Sequence, residues 1–253
     1  MNNSFMPNPV ALDVAFLPSE AGDLSGAVAV VLDVLRATSS MVTLFDRGVA
    51  SIGLAASVND ARAAAKAAGD ALLCGEAGGL PPYGFDFGNS PRELAAADLA
   101  GKHMIMATTN GTNAVRACAS ASAVLIGALL NANAVVREAL DLARSAGRLT
   151  VVCSGRGGRF VLDDAVAAGY LCHILLSETN VRKLPLTQSN SAIAAYRLYH
   201  SYPNLLAALN ESDSAGNLFQ VRLAEDVSYC AKTSVTRTVP RLGTASREGL
   251  YLL

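Results

Sequence analysis

The sequence predicts an α/β fold with three layers, helices covering both faces of a mainly parallel or mixed sheet. Three observations carry this. Short apolar runs of strand length, such as "VAVVL" at 28–32, alternate with alanine-rich stretches of helical length, and strand–helix alternation builds parallel sheets. The alternation also occurs twice. A series from Val28 through "ASIGLAAS" to "ALLCGEAGG" reappears from His103 through "SAVLIGALLNANAVV" to "RLTVVCSGRGG". Gly53 corresponds to Gly127, Asn59 to Asn133, Cys74 to Cys153, and Gly78 and Gly79 to Gly157 and Gly158. This reads as a weak duplication of a βαβαβ unit. Finally, 51% of the 253 residues are hydrophobic and only 16% are charged, which suits a well-buried core and excludes a disordered chain.

Taken in order, Val10–Phe16 reads as a short edge strand. Val28–Asp33 opens with an unbroken apolar run, the pattern of a strand buried on both faces. Thr38–Arg47 is a helix opening at a hydroxyl N-cap and stopped by Gly48. "ASIGLAAS" supplies the next strand. Val58–Ala68 is an alanine-rich helix with Asn59 or Asp60 near its start and Gly69 at its end. "ALLCGEAGG" is a strand ending in glycines, and "LPPYGFDFGNSPREL" is a long loop. The second series follows: strand, polar loop and helix in "KHMIMATTNGTNAVRACA", strand and helix in "SAVLIGALLNANAVVREALDLARSAG", and a final strand in "RLTVVCSGRGG". From Leu184 the texture changes to two or three helices, with late strands in "SVTRTVPRL" and "GLYLL". The expected organisation is a first α/β half over 1–100, a second over 101–183, and an extension over 184–253 packing on the sheet, all one compact unit.

The totals remove several function classes. A net charge of −1 gives no global field favouring nucleic acid or membranes. No apolar run reaches the length of a membrane span. The N-terminal "MNNSFMPNPVALDVAF" lacks the basic n-region of a signal peptide. Five widely spaced cysteines with no CxxC pair read as reduced thiols of a cytoplasmic protein. Heptads are absent, and a homodimer is left open. Only Lys66, Lys102, Lys183 and Lys232 among the basic residues are lysines; the arginines that make up the rest can fork two oxyanion oxygens.

Five polar clusters fall at strand ends, where open α/β sheets bind ligands. Asp33 to Ser40 offers a carboxylate for a metal or a phosphate, Arg36 for oxyanions, and the hydroxyls of Thr38 and Ser39 at a helix start. The same residues would also serve as a local ion pair plus an ordinary cap. "CGEAGG" sets Glu76 among glycines that let a ligand approach the backbone. "YGFDFGNSPRE" places Asn89 and Ser90 in a loop pinned by aromatics, or as a helix cap ahead of Pro91. "ATTNGTNAV" has the layout of a phosphate cradle in Thr108, Thr109, Asn110, Gly111 and Thr112, with no GK[ST] of a Walker A motif. "CSGRGGRFVLDDAV" carries Gly155, Arg156 and Arg159, then Asp163 and Asp164 in a first helical turn, where acids are also favoured by the helix dipole. Together these offer hard oxygen ligands and anion subsites, a combination that suits Mg²⁺ and a phosphate ester. His103, His173 and His200 fall in none of the clusters, which argues against zinc and against a Ser-His-Asp hydrolase. The aspartate–any residue–aspartate signature of haloacid dehalogenases is also absent, since Asp33 is followed by Val34 and Leu35.

"DVLRATSS", "GEAGG" leading into "GFDFGNSP", "TTNGT" and "GRGGRFVLDDAVAAG" occur in this order in the 2-phosphosulfolactate phosphatases, which the chain resembles from about Val28 to Tyr170 and more weakly through "SAGNLFQVRLAEDVSYCAKTSVTRTVPRL". The resemblance implies a Mg²⁺-dependent phosphatase of 2-hydroxy acid phosphate esters, releasing phosphate from 2-phospho-3-sulfolactate in coenzyme M biosynthesis. Where that family carries a Glu-Asp pair, this chain has Asp163 and Asp164. Read together with the clusters, this chemistry places Asp33, Arg36, Glu76 and Asp164 in catalysis. The metal would be held by Asp33, Glu76 and Asp164. Substrate would be bound by Thr38, Ser39, Asn89, Ser90, the Thr108–Thr112 stretch, Gly155 and Arg156. The alternative expectation is a transferase or a non-catalytic binder of a small phosphorylated or sulfonated metabolite.

Overall fold

The computed structural model describes residues 9–243 and 250–253. Its strands form two sheets. The larger is all-parallel, in the order β6-β2-β7-β1-β8: Ala123–Gly127, Val28–Leu32, Arg148–Cys153, Val10–Ala15 and Leu186–Gln188. The smaller is mixed, in the order β4-β5-β3-β9: Leu72–Gly75, His103–Ala107, Ser51–Leu54 and Tyr251–Leu252, with β9 antiparallel to β3.

The duplicated series are interleaved. The first strand of each, β2 or β5, lies between the two later strands of the other: β2 between β6 and β7, β5 between β3 and β4. Matched positions also fold alike. Gly78 and Gly79 have φ of 65° and 86° in a turn bridged by Ala77 and Leu80; Gly157 and Gly158 have φ of 56° and 72° in a turn bridged by Arg156 and Arg159. Left-handed φ at two successive positions explains why both turns carry paired glycines.

The period-2 alternation of β2 divides the core. Val28, Val30 and Leu32 join one buried cluster with helices α5 (Ala132–Ala146), α6 (Leu162–Arg182) and α7 (Asn190–His200). Ala29 and Val31 point the other way, into a cluster between the sheets with α1 (Ala37–Asp46) and α4 (Gly111–Ala117). Helix α2 (Val58–Ala68) covers the far face of the smaller sheet through Ala61, against Ile105 and Ala107. Each sheet is thus the middle of an α/β/α sandwich, and the α1–α4 layer is shared.

Several local expectations change. β1 is not an edge strand; it lies between β7 and β8, and the three-residue β8 takes the edge. Helix α2 has the expected bounds, but its cap is Ser57, whose hydroxyl accepts the Asp60 N–H. Four helices occupy the C-terminal extension among the described residues: α7, α8 (Leu205–Asn210), α9 (Asp213–Gln220) and α10 (Ala224–Cys230). "SVTRTVPRL" forms no regular strand, yet it follows the edge of the larger sheet: Ser234 and Thr236 N–H groups donate to Leu129 and Leu130 carbonyls, and the Ile126 N–H donates to Pro240. "GLYLL" contributes β9, which covers the edge of the smaller sheet; residues 244–249, which include its neighbours, lie outside the described residues. One tail therefore covers one edge of each sheet, β6 in the larger and β3 in the smaller.

The helix pair α6–α7 has no room for a side chain at Gly169. A Cβ there would stand 2.0 Å from the Ala195 carbonyl oxygen and 2.8 Å from Tyr199 Cβ. Gly169→Ala is expected to lower the urea midpoint by an amount equivalent to about 1–3 kcal/mol, the usual range for overpacking. An unchanged midpoint would show that the helices separate without cost.

Candidate active site

The carboxyl ends of β2 and β7 in one sheet and of β4 and β5 in the other open onto one cavity of roughly 170 Å³. Drug-sized sites span about 300–1,000 Å³, so this one suits a small metabolite. Asp33, Arg36, Glu76, Asn89, Thr108, Thr109, Asn110, Gly155, Arg156 and Asp164 all line it. Residues spread over more than half of the sequence are thus gathered in one place.

Asp33 leaves β2 and turns the chain into α1. Its Oδ1 accepts the Ala37 N–H at 3.1 Å, capping that helix. Its own N–H donates to Thr38 Oγ1, which in turn donates to the Asp33 carbonyl. The second series repeats this geometry without the acid: Thr108 Oγ1 accepts the Thr112 N–H, and Thr112 Oγ1 donates to the Thr108 carbonyl. Asp33 and Thr108 are therefore equivalent positions, one acidic and one neutral. The two turns meet at Gly111, where a Cβ would stand 2.3 Å from Ala37 Cβ and 2.8 Å from Asp33 Oδ2. Gly111 is present so that α4 can close against Asp33.

Two carboxylates act as brackets between loops. Asp164 Oδ1 accepts the Val34 N–H at 2.9 Å, and its Oδ2 accepts from Ser154 Oγ at 3.0 Å and the Gly155 N–H at 3.2 Å. Glu76 Oε1 accepts the Thr109 N–H at 2.7 Å and Oε2 the Gly79 N–H at 2.8 Å. Asn110 Oδ1 adds a third tie by accepting the Gly157 N–H. Glu76 thus takes up the amide of Thr109, and the Thr108 hydroxyl that of Thr112, both of which the sequence offered to a phosphate.

Arg36 is buried, 4% exposed. It donates to Asp226 Oδ2 at 2.6 Å and to the Gly79 carbonyl at 2.8 Å. The peptide joining Leu35 to Arg36 is cis. Arg156 lies at the exposed rim and makes no ion pair among the described residues.

Five expected site residues are in the neighbourhood but do not line the cavity. Thr38 and Ser39 are wholly buried, with hydroxyls donated to the Asp33 and Val34 carbonyls. Ser90 caps α3 (Pro91–Ala96) and donates to Asp226 Oδ1 at 2.7 Å. Gly111 and Thr112 form the capped turn described above. Conversely, Asp163, Ser154, Gly79 and three residues of α9, Ser214, Asn217 and Leu218, do line the cavity. Asp163 was visible as part of the acid pair. The α9 residues carry no local signal, because only long-range packing brings that helix over the site.

The electrostatics are dominated by Asp33, Asp163 and Asp164. Burial, the largest cause, pushes Asp33 up to about 6, against the opposing Ala37 hydrogen bond. Burial likewise pushes Asp163 up to about 6, with the Asp33 charge adding to it. Asp164 is raised well above the carboxylate range by burial and then by its two acidic neighbours. The buried cysteine thiols are pushed up by burial, Cys74 to about 12, and are unreactive.

Among the described residues no three His, Cys, Asp or Glu side chains stand together as a ready-made metal cage. Mg²⁺ is ordinarily held by one or two carboxylates together with substrate phosphate and water. On two residues that line the cavity a buried side-chain oxygen has no hydrogen-bond partner, Asp163 Oδ1 and Asn89 Oδ1. Native structures rarely leave such atoms unpartnered, and both are hard donors of the kind Mg²⁺ takes. Asp33 lines the same cavity with only its Oδ1 taken by a backbone amide, and the three residues fit the ion; both oxygens of Glu76 and of Asp164 already accept hydrogen bonds.

Comparison with known proteins settles the family. The model of the 2-phosphosulpholactate phosphatase family matches residues 16–244. The chain belongs to that family, whose members are phosphoric monoester hydrolases. It is 39% identical over 85% of its length to a protein of Deinococcus radiodurans, of which it covers 87%. It is 39% identical over 88% of its length to one of Thermus thermophilus, covering 91%, and 36% identical over 90% to one of Carboxydothermus hydrogenoformans, covering 92%. All three are named "Probable 2-phosphosulfolactate phosphatase". The family match includes β2 to β8 and the α9 and α10 helices, so every residue that lines the cavity lies inside it.

The acid cluster gives the metal-free protein an inverted pH response. Asp33 and Asp163 sit at about 6 in the folded state against roughly 3.9 when unfolded. Between those values the folded state keeps protons that the unfolded chain has released, so stability falls as pH rises and the deficit is complete above the window. In chelator, stability is expected to drop between pH 5 and pH 7.5, and Asp163→Asn to remove part of that drop. Denaturation curves that strengthen with pH across this range would contradict it.

Proposed function

We propose that this chain is a Mg²⁺-dependent phosphatase acting on the phosphate ester of a 2-hydroxy acid. Its substrate is 2-phospho-3-sulfolactate, and its products are 3-sulfolactate and phosphate. The observation that carries the reading is the charge on the cavity wall. Asp33, Glu76, Asp163 and Asp164 line it together with only two arginines, and one of those, Arg36, is already paired with Asp226. An ester bearing phosphate, carboxylate and sulfonate would be repelled by such a wall unless a cation sat between them. A cavity of this size and composition, in a chain of this family, supports metal-assisted phosphoryl transfer better than simple anion binding.

Asp33, Asp163 and the Asn89 side-chain carbonyl are the oxygens that would hold Mg²⁺. Bound there, the ion supplies Lewis-acid neutralisation of the phosphoryl oxygens. The chain's own groups do the rest. Asp33 is fixed by the Ala37 N–H and lines the cavity, where it acts on phosphorus either by direct attack or by taking the proton of an attacking water. The N–H groups of Arg36 not used by Asp226 and Gly79 bind anionic oxygens of the substrate. Arg156 meets the outer anionic group at the rim. Ser214, Asn217 and Leu218 close the cavity from α9.

The test is phosphate release from a panel of phosphosulfolactate, phospholactate and phosphoglycerate, with and without Mg²⁺. The expected result is fastest turnover of phosphosulfolactate, lost in chelator. Asp33→Asn is expected to reduce turnover by at least about a thousandfold while keeping the native circular dichroism spectrum. Tight binding of the esters without hydrolysis, or near-normal rates in Asp33→Asn, would overturn the assignment. A phosphoaspartate trapped at Asp33 after a quenched turnover would identify direct attack.

A further inference from the structure

We infer that Asp226, on α10 of the C-terminal extension, is a positioning residue that fixes the Arg36 guanidinium for oxyanion binding. The inference rests on the reading of the cavity as an anion site and names a residue outside the cavity wall on which that site depends. Asp226 is 1% exposed and does not line the cavity, so it cannot touch the substrate. One of its oxygens accepts from Arg36 at 2.6 Å, and the other accepts from Ser90 Oγ at 2.7 Å. Ser90 is itself held, because its hydroxyl accepts the Glu93 N–H in the first turn of α3. On its other side Arg36 donates to the Gly79 carbonyl at 2.8 Å, and the Gly79 N–H donates to Glu76. The result is a continuous chain from α3 through Ser90, Asp226, Arg36 and Gly79 to Glu76.

This arrangement does something that a free arginine could not. An unanchored guanidinium on a long flexible stem samples many rotamers and must be ordered each time an anion binds. Held at two of its nitrogens, the planar fork presents its remaining N–H groups in one orientation. Asp226 also holds the cation in a buried place where an unpaired charge would be costly. The geometry therefore explains why a helix 190 positions from Arg36 belongs to the catalytic unit, and why Ser90 lies beside the site without lining it.

The test is a double-mutant cycle on the full chain with two readouts. Asp226→Asn and Ser90→Ala are each made alone and on an Arg36→Ala background. For each protein kcat/KM on phosphosulfolactate is measured, and inorganic phosphate affinity is measured by calorimetry with Mg²⁺ present. Asp226→Asn is expected to cost roughly ten- to a hundredfold in both readouts and less than about threefold once Arg36 is gone. Ser90→Ala is expected to cost a few-fold with the same background dependence, and it decides the matter if Asp226→Asn does not fold. Equal losses in both backgrounds, unchanged phosphate affinity in the variants, or no phosphate binding by the wild type would each overturn the inference. Background-dependent loss of phosphate affinity in a wild type that hydrolyses none of the esters would refute the phosphatase reading and leave the role of Asp226 intact.

Discussion

The Asp164 carboxylate sits in the first turn of α6 and receives the Val34 N–H, the Ser154 hydroxyl and the Gly155 N–H. These donors come from the loops leaving β2 and β7, so one buried carboxyl group sets the spacing between two adjacent strand ends and a helix start. Asp33 precedes Val34 in the chain, and Asp163 precedes Asp164. Fixing the bracket therefore fixes two more of the acids that line the cavity, Asp33 and Asp163. Three carboxylates packed this closely resist burial, as their raised pKa values show. The fold holds them together because the brackets satisfy Asp164 fully while Asp163 Oδ1 has no partner. Strain of this kind, accepted in one place and supported elsewhere, marks a functional site.

Much of this was legible in the sequence. Local signals located β1 to β7 and β9 but not β8, gave helix α2 its bounds, and placed polar clusters at the carboxyl ends of β2, β4, β5 and β7. The matched glycine pairs at 78–79 and 157–158 anticipated two turns of the same form. What the pattern could not show was pairing. Nothing local to "VAVVL" says that it enters the sheet of the other series, or that Val10–Ala15 lies inside a sheet and not at its edge, because strand order depends on contacts between distant segments.

The site was legible to the same depth. Ten of the expected residues meet at one cavity because motif residues at strand ends are brought together by the fold itself. Hydroxyls were read less well. Thr38, Ser39 and Thr112 have the residue types of a phosphate cradle, but short polar side chains at helix starts also bond to nearby backbone, and here they do. Asp226 carries no local signal within α10, although it balances the charge of the buried Arg36. The C-terminal extension thus contributes to the cavity in two ways, by covering it through α9 and by holding Arg36 through α10.

The central claim is that a cluster of buried acids, centred on Asp33 and Asp163, holds the cation that lets an anionic ester enter. Calorimetric titration of Mg²⁺ into the wild type and into Asp163→Asn at pH 7.5 tests it directly. The account predicts one Mg²⁺ site per chain, weakened at least about tenfold in the variant. Equal Mg²⁺ affinity in the two proteins would contradict it.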